Sequence, residues 1–352
     1  MKNLFRLPIL WLLDILGINA LCRWLNRKKV IILWYHGVCD EGFDLLKGYS
    51  ERHIPKTTFG KHLDYLRRKG YTFINMSELI DALKNKKKID KSVVLTFDDG
   101  FRNVVENAYP IMKEYGAKGC FYLVSDLIGK NQLLWTDFVE MVIRNQKKGN
   151  FQFILKGEKI NYRLGDKSSN QYAMVDIKEK LRAIPDKERL EHLEQFSNFR
   201  LDDVPKEFFM TSWQQIRELE PDILEIGSHT RRHPNCANLS SNEELEEEIL
   251  NSKIIIENNT SRKIKHFCYP AGSYDDRVIA KVTECGYESA VTTIDGFVSE
   301  NSDLYKLKRI ATGEQFLHFK ASVSGSYIIL QGIKDIIISW LRGRISKSSN
   351  HS

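Results

Sequence analysis

The sequence predicts an α/β fold of parallel strands joined by crossover helices, as a doubly wound sheet or a barrel. Two observations carry that expectation. Apolar runs of strand length alternate along the chain with segments whose apolar residues recur at helical spacing. Each cluster of chemically reactive side chains also lies directly after an apolar run: His36 after 30–35, Asp98 and Asp99 after 93–97, His229 after 223–227, and Pro270 after 265–269. In a closed barrel of parallel strands all strand C-termini open on one face, where such scattered positions converge on one pocket.

In chain order, Val30 to Tyr35 is the continuous apolar run of a strand buried on both faces, ending in His36-Gly37. A polar loop to about residue 56 precedes a helix carrying Phe59, Leu63, Tyr65 and Leu66, which stops at Gly70. A short strand over 71–74 follows, and Ser77 is the expected cap of a helix over 78–85. Strand 93–97, a helix around 104–115 ended by Gly116, and strand 119–124 continue the rhythm. Residues from about 126 to 210 break it, with Trp135 in a loop, a helix through Met141, a hairpin-like stretch over 151–163 and a charged helical stretch over 176–198. This segment reads as a mainly helical insertion. The alternation then resumes: helix 213–220, strand 223–227, helix 243–257, strand 265–269, helix 276–285 and strand 289–293.

With 352 residues, 42% of them hydrophobic, the chain can bury a large core. The net charge of +7 sits in short runs such as Arg27-Lys28-Lys29 and Lys86-Lys87-Lys88, with no basic stripe interleaved with aromatics, so no nucleic-acid partner is expected. Cys22, Cys39, Cys120, Cys236, Cys268 and Cys285 form no Cys-x-x-Cys pair and no framework spacing, which fits a reducing compartment. Cys236, three residues after His233, reads as a loop cysteine near the site. The acidic run from Glu243 to Glu248 reads as a solvated helix face.

Both ends are apolar. Residues 1–28 form an expected N-terminal helix interrupted by Arg6, Asp14, Asn19 and Arg23, too short in uncharged length to span a bilayer and without a convincing signal cleavage site. Trp11 and Trp24 beside the basic cluster instead suit an interfacial helix. Residues 321–352 are expected to form an amphipathic helix, with Ile329, Ile333, Ile336, Ile337, Trp340 and Leu341 at helical spacing and Lys334, Arg342 and Arg344 nearby, followed by a polar tail. Each end is a candidate for peripheral membrane contact or for ordinary packing on the barrel, which would occupy 29–320.

The reactive clusters read as one site. Asp98-Asp99-Gly100 closes an apolar strand, so one carboxylate can face a metal while its neighbour faces a substrate or water. His229 and His233 place two imidazoles four residues apart behind another strand. Thr-Phe-Asp-Asp-Gly at 96–100, Ser-His-Thr-x-x-His at 228–233 and Phe-x-Tyr-Pro-x-Gly at 267–272, in that order, resemble the polysaccharide deacetylases with a NodB-type domain, the fourth carbohydrate esterase family. The resemblance runs from about Val30 to Thr312 apart from the insertion. It implies a distorted (β/α)7 barrel.

Carried over motif by motif, the resemblance implies that Asp99, His229 and His233 hold a divalent metal, Zn²⁺ by first choice, and that Asp98 is the general base. Two imidazoles and one carboxylate leave an open coordination position, as a catalytic site requires. A water there is acidified, and Asp98 can take its proton as it attacks an acetamide carbonyl. The oxyanion donor would be the backbone N–H of Ala271. Here the chain departs from the commoner family form, with Cys268 in place of an arginine and Ala271 in place of a tyrosine; Arg309 is the candidate substitute that orients Asp98. The usual Leu-x-x-His motif is not evident. His318 follows the faded barrel pattern, so His36, in a Tyr-His pair after the first strand, is the candidate acid for the leaving amine. Tyr269, Pro270, Tyr274 and Trp135 are candidate sugar contacts, and His266 reads as structural.

The expected activity is removal of N-acetyl or N-formyl groups from an amino sugar in a polysaccharide or a lipid-linked precursor. An O-acetyl esterase and a catalytically silent sugar-binding module are the alternatives. The cysteines and apolar ends favour the cytoplasmic face of the cell membrane, with a secreted or cell-surface enzyme as runner-up.

Overall fold

The structure, a computed structural model, describes residues 6–43 and 52–334. Of the expected C-terminal helix, Ile336, Ile337, Trp340, Leu341, Arg342 and Arg344 lie outside these residues. The N-terminal segment forms two helices rather than one, α1 (Arg6–Ile15) and α2 (Ile18–Leu25), because Gly17 takes a left-handed turn (φ 74°) between them. Next come β1 (Ile31–Tyr35), the short parallel pair β2 (Gly37–Cys39) and β3 (His53–Pro55), then α3 (Lys56–Arg68), β4 (Thr72–Phe73), α4 (Met76–Lys84) and β5 (Ser92–Phe97). The cap of α4 is Asn75, not Ser77: its side chain accepts from the Glu78 N–H while the Glu78 carboxylate accepts from the Asn75 N–H. A π-helical stretch over Val104–Ala108 runs into α5 (Tyr109–Tyr115), followed by β6 (Gly119–Leu123).

The insertion contains α6 (Trp135–Arg144), an antiparallel hairpin of β7 (Gly149–Leu155) and β8 (Glu158–Leu164), α7 (Lys167–Arg182) and α8 (Asp186–Leu193). The single charged helix expected over 176–198 is thus two, with Pro185 at the N-cap of the second. The remaining elements are α9 (Trp213–Arg217), β9 (Leu224–Ser228), α10 (Asn242–Thr260), β10 (His266–Cys268), α11 (Asp276–Glu284), β11 (Ser289–Asp295), β12 (Leu307–Ala311) and α12 (Phe316–Ser324).

Seven parallel strands close a ring in the order β1, β12, β11, β10, β9, β6, β5, with β5 pairing back onto β1 along Ile31–Tyr35. The expected (β/α)7 barrel is the observed fold. Its seventh strand, β12, was not among the expected elements. β4 pairs with the first residues of β5 and stays outside the ring.

Strand periodicity divides the core in two. Ile31, Leu33 and Tyr35 with Val93, Leu95, Phe97, Phe121, Ile226 and Phe267 face outward onto the helices. Ile32, Val94, Cys120, Tyr122, Cys268, Val291 and Leu307 fill the lumen. The insertion has a core of its own, including Trp135, Val139, Phe153, Ile177 and Leu181.

The terminal helices are docked and apolar outside. Leu10 and Cys22 are buried; Asn19 accepts hydrogen bonds from Ser324 and Ser326, Asn26 donates to the Ser324 carbonyl, and Lys320 pairs with Asp14. Leu7, Ile9, Trp11, Leu12, Ile15, Leu16, Leu21, Trp24 and Leu25 remain exposed. No single helix among the described residues is long and apolar enough to cross a membrane; the two halves of the N-terminal segment meet at 71°.

Candidate active site

The carboxylates and the paired histidines of the site sit beyond the C-terminal ends of barrel strands. β5 delivers Asp98 and Asp99, and the chain turns sharply there: Asp99 is left-handed (φ 74°) and Gly100 follows at φ 98°. Thr230 (φ 66°), His233 (φ 62°) and Ala271 (φ 52°) adopt the same uncommon conformation. Half of the eight non-glycine residues of this kind among the described residues therefore border one site. Each costs of order 1–3 kcal/mol and persists only where surrounding contacts over-determine it.

Those contacts are visible. His229 donates its main-chain N–H to the Leu123 carbonyl, and His233 donates its own to the Thr230 hydroxyl. Glu248 is buried, and its carboxylate accepts from the main-chain N–H groups of Arg231 and Arg232. Glu248 thus leaves the expected solvated face of α10 and holds the histidine loop.

Asp99, His229 and His233 each present one ligand atom, all within 4.8 Å of one another. The Nε2 atoms of His229 and His233 lie 3.4 and 3.6 Å from Asp99 Oδ1. His229 Nδ1 is 2.8 Å from the Cys268 carbonyl, which can only accept, so Nδ1 carries a proton and Nε2 is the nitrogen turned toward Asp99. His233 Nδ1 is buried without a hydrogen-bond partner among the described residues. Burial would raise the Asp99 pKa, but its hydrogen bond with His229 and the nearby imidazoles hold it well below the usual carboxylate range. Two nitrogens and an ionised oxygen in one buried cluster fit a divalent ion. Asp98, His229 and Cys268 also lie close together, but there both Asp98 oxygens are held by Arg309.

Asp98 is committed to Arg309. The guanidinium, buried in the lumen, donates from both terminal nitrogens to the two Asp98 oxygens at 2.8 Å each. Its Nε donates to the Thr292 carbonyl and Nη1 to the Thr96 hydroxyl, and its plane lies 4.8 Å from the Trp34 ring centre. Burial pushes the Asp98 pKa up, but the Arg309 charge and hydrogen bonds outweigh it, and Asp98 stays ionised. Cys268, also in the lumen, lies 3.5 Å from Asp98 Oδ2 and 3.4 Å from Arg309.

His36 follows β1 at the mouth of the lumen, half-buried, within electrostatic reach of Asp99, Arg52, Asp98 and Arg309. Burial lowers its pKa to about 4 against the pull of Asp99, so the imidazole is neutral at neutral pH. Ala271 occupies an exposed position in the turn Pro270–Gly272. That turn requires glycine at 272, where φ is 67° and a Cβ would fall 2.0 Å from the Thr293 hydroxyl. His318 lies on α12 with its ring against Tyr327.

Three expected sugar contacts are displaced by the structure. Trp135 opens α6 rather than a loop; it is buried, donates from its indole to the His233 carbonyl and stacks beneath Arg189. Tyr269 is buried with its hydroxyl donating to the Tyr305 carbonyl, and Pro270 is buried beside it. Tyr274 is half-buried against Tyr269. Cys236 is a core residue, and His266 is bonded to Ser289 and Ser77. Sequence reading missed Arg52, whose Nη1 lies 3.3 Å from Asp99 Oδ2, and Asp137, which Arg52 also contacts; neither belongs to a motif.

A (β/α)7 barrel with an Asp, His, His cluster at its C-terminal rim and a paired carboxylate in its lumen is the frame of a carbohydrate deacetylase. The family model of polysaccharide deacetylases matches residues 85–290, and the chain belongs to that family. It is 22% identical over 309 residues to YxkH of Bacillus subtilis (strain 168), covering 87% of this chain and 79% of that one. A poly-beta-1,6-N-acetyl-D-glucosamine N-deacetylase of Staphylococcus aureus is 26% identical over 94 residues, 27% of this chain and 31% of the relative. Among solved structures, the Streptococcus pyogenes deacetylase PplD aligns with a TM-score of 0.55 at 19% identity, covering 82% of this chain and 93% of that one. IcaB from Ammonifex degensii aligns at 0.54 and 18%, covering 84% and 97%.

Proposed function

We propose that this chain is a metal-dependent N-deacetylase that removes acetyl groups from an amino sugar in a polysaccharide or its lipid-linked precursor. The observation that carries this reading is the pairing of a metal-competent cluster, Asp99, His229 and His233, with an adjacent ionised carboxylate fixed by Arg309. A divalent ion held by that cluster, Zn²⁺ by its donor set, would acidify a water and polarise the amide carbonyl. Asp98 accepts a proton from the water as it attacks. The Ala271 N–H is the proposed donor to the carbonyl oxygen. His36, neutral at rest, would take up the proton that Asp98 accepted from the water and pass it to the leaving nitrogen as the C–N bond breaks. Acetate and a free amine result. Of the aromatic candidates, Tyr274, half-buried where Trp135 and Tyr269 are buried, is the proposed sugar contact.

Acetate release from N-acetylhexosamine oligomers and polyprenyl-linked sugars, measured before and after stripping and restoring Zn²⁺, tests the reading. Release that disappears and returns with the metal is expected; bound metal without release from any substrate would instead support the binding module, and release from O-acetyl sugars alone the esterase. In the same assay, His36→Gln is expected to retain its metal and lose about 10²–10⁴ in turnover. Near-normal turnover would remove His36 from the mechanism.

We further propose a cytoplasmic location with peripheral contact at the inner membrane face. The exposed apolar surface of α1 and α2, with Trp11 and Trp24 and the basic Arg27-Lys28-Lys29 run at its border, supports it. So do six unpaired cysteines. The full chain should float with phosphatidylglycerol vesicles at low salt, and a Trp11→Ser, Trp24→Ser variant should not. A wild-type chain that stays unbound would sink the proposal.

A further inference from the structure

Resting on the metal reading above, we infer that Arg52 and Asp137 are positioning residues for the metal centre, and that the insertion acts on the site through them. The two oxygens of Asp99 have different surroundings. Oδ1 faces both imidazole Nε2 atoms at 3.4 and 3.6 Å, whereas Oδ2 faces Arg52 Nη1 at 3.3 Å. A carboxylate can bind a metal through one oxygen or both. A guanidinium on Oδ2 leaves Oδ1 as the ligand and keeps a coordination position open for water and substrate.

Arg52 is in turn held from the insertion. Its other terminal nitrogen contacts Asp137, a fully buried residue on the first turn of α6. Glu140, one turn further along, is paired with Lys178 and Arg144, and Arg52 is the cation paired with Asp137 among the described residues. The same helix reaches a second ligand, since Trp135 donates to the His233 carbonyl at 3.2 Å. α6 therefore touches the shell around two of the three ligands: Asp99 through an ion-pair relay and His233 through its main chain. A buried carboxylate aimed at a guanidinium that is itself aimed at a ligand fixes a distance; it also keeps the Arg52 cation from moving into the site and competing with a metal ion.

The test uses Co²⁺ as the probe in the full-length protein, with visible absorption reporting coordination number and competition with a chelator reporting affinity. Arg52→Met should free Oδ2, lower the intensity of the Co²⁺ bands as the coordination number rises, and change metal affinity by about 10–100-fold. Asp137→Asn should weaken Co²⁺ binding, and Arg52→Lys should restore part of the wild-type spectrum. Because Asp137 is buried, an Arg52→Met, Asp137→Leu pair that removes both charges provides a variant expected to fold, with the spectrum of Arg52→Met. Wild-type spectrum and affinity in both Arg52→Met and the double variant would overturn the inference. Failure of the wild-type protein to bind Co²⁺ would instead overturn the metal reading on which it rests.

Discussion

Asp98 and Asp99 are neighbours in the chain but belong to regions built in opposite ways. In the lumen, Asp98 is closed in: both its oxygens accept from one guanidinium, which is itself fixed by Thr96, Thr292 and the Trp34 face. At the rim, Asp99 is incompletely answered. Its Oδ1 faces two imidazoles at 3.4 and 3.6 Å, and one of those rings has a buried nitrogen without a hydrogen-bond partner among the described residues. The left-handed residues Asp99, Thr230, His233 and Ala271 cluster around the rim, while no residue within the seven ring strands is left-handed. The lumen region stores a charge in a fixed orientation, and the rim region keeps donors available at the cost of strain. A carboxylate that must accept a proton repeatedly needs the first environment, and one that must ligate needs the second.

The largest expected effects come from exchanging these environments. Asp99→Ala should abolish metal retention and, with it, turnover by at least about 10³-fold, since several kcal/mol of charge stabilisation leave with the ion. Asp98→Asn should retain the metal, measured by elemental analysis, while losing about 10²–10⁴ in acetate release. Loss of metal from Asp98→Asn as complete as that from Asp99→Ala would erase the distinction between the two regions.

The rim was legible in sequence because its groups occur in short runs behind apolar strands: Asp98-Asp99-Gly100, His229 to His233 and the Pro270 turn each carry several informative positions together. The lumen was legible only in part. Arg309 could be named as a substitute for a missing arginine, but the strand that carries it, Leu307–Ala311, is five residues long with two charges and gives no clear apolar run. Its place is set by closure of the ring between β11 and β1, a tertiary constraint. Trp135 and Tyr269 were read as sugar contacts because composition does not reveal that an insertion core and the Tyr305 loop cover them. Arg52 and Asp137 belong to no motif, and folding alone brings residues 85 positions apart into contact.

The smaller effect at neutral pH, and the sharper test of the lumen, is Arg309→Met. In the native protein burial pushes the Asp98 pKa up, but Arg309 holds it below the ordinary carboxylate value. That depressed value means the pair contributes stability above the unfolded carboxylate pKa, near 3.9, and the contribution is lost as pH falls through the lower native value. Without Arg309, burial dominates and the Asp98 pKa rises above its unfolded value. The sign reverses: the variant is least destabilised in acid and loses stability as pH rises through the new value, by about 3–5 kcal/mol for an uncompensated buried charge. The acid limb of turnover should move to higher pH, since Asp98 as the proposed base would act only when ionised. Adding Asp98→Asn to Arg309→Met should recover part of the neutral-pH stability without restoring turnover, because the stranded charge is gone while the base is still missing. If thermal melts of Arg309→Met show no greater loss at pH 7 than at pH 4, Asp98 is not governed by Arg309, and the lumen must orient its carboxylate by other means.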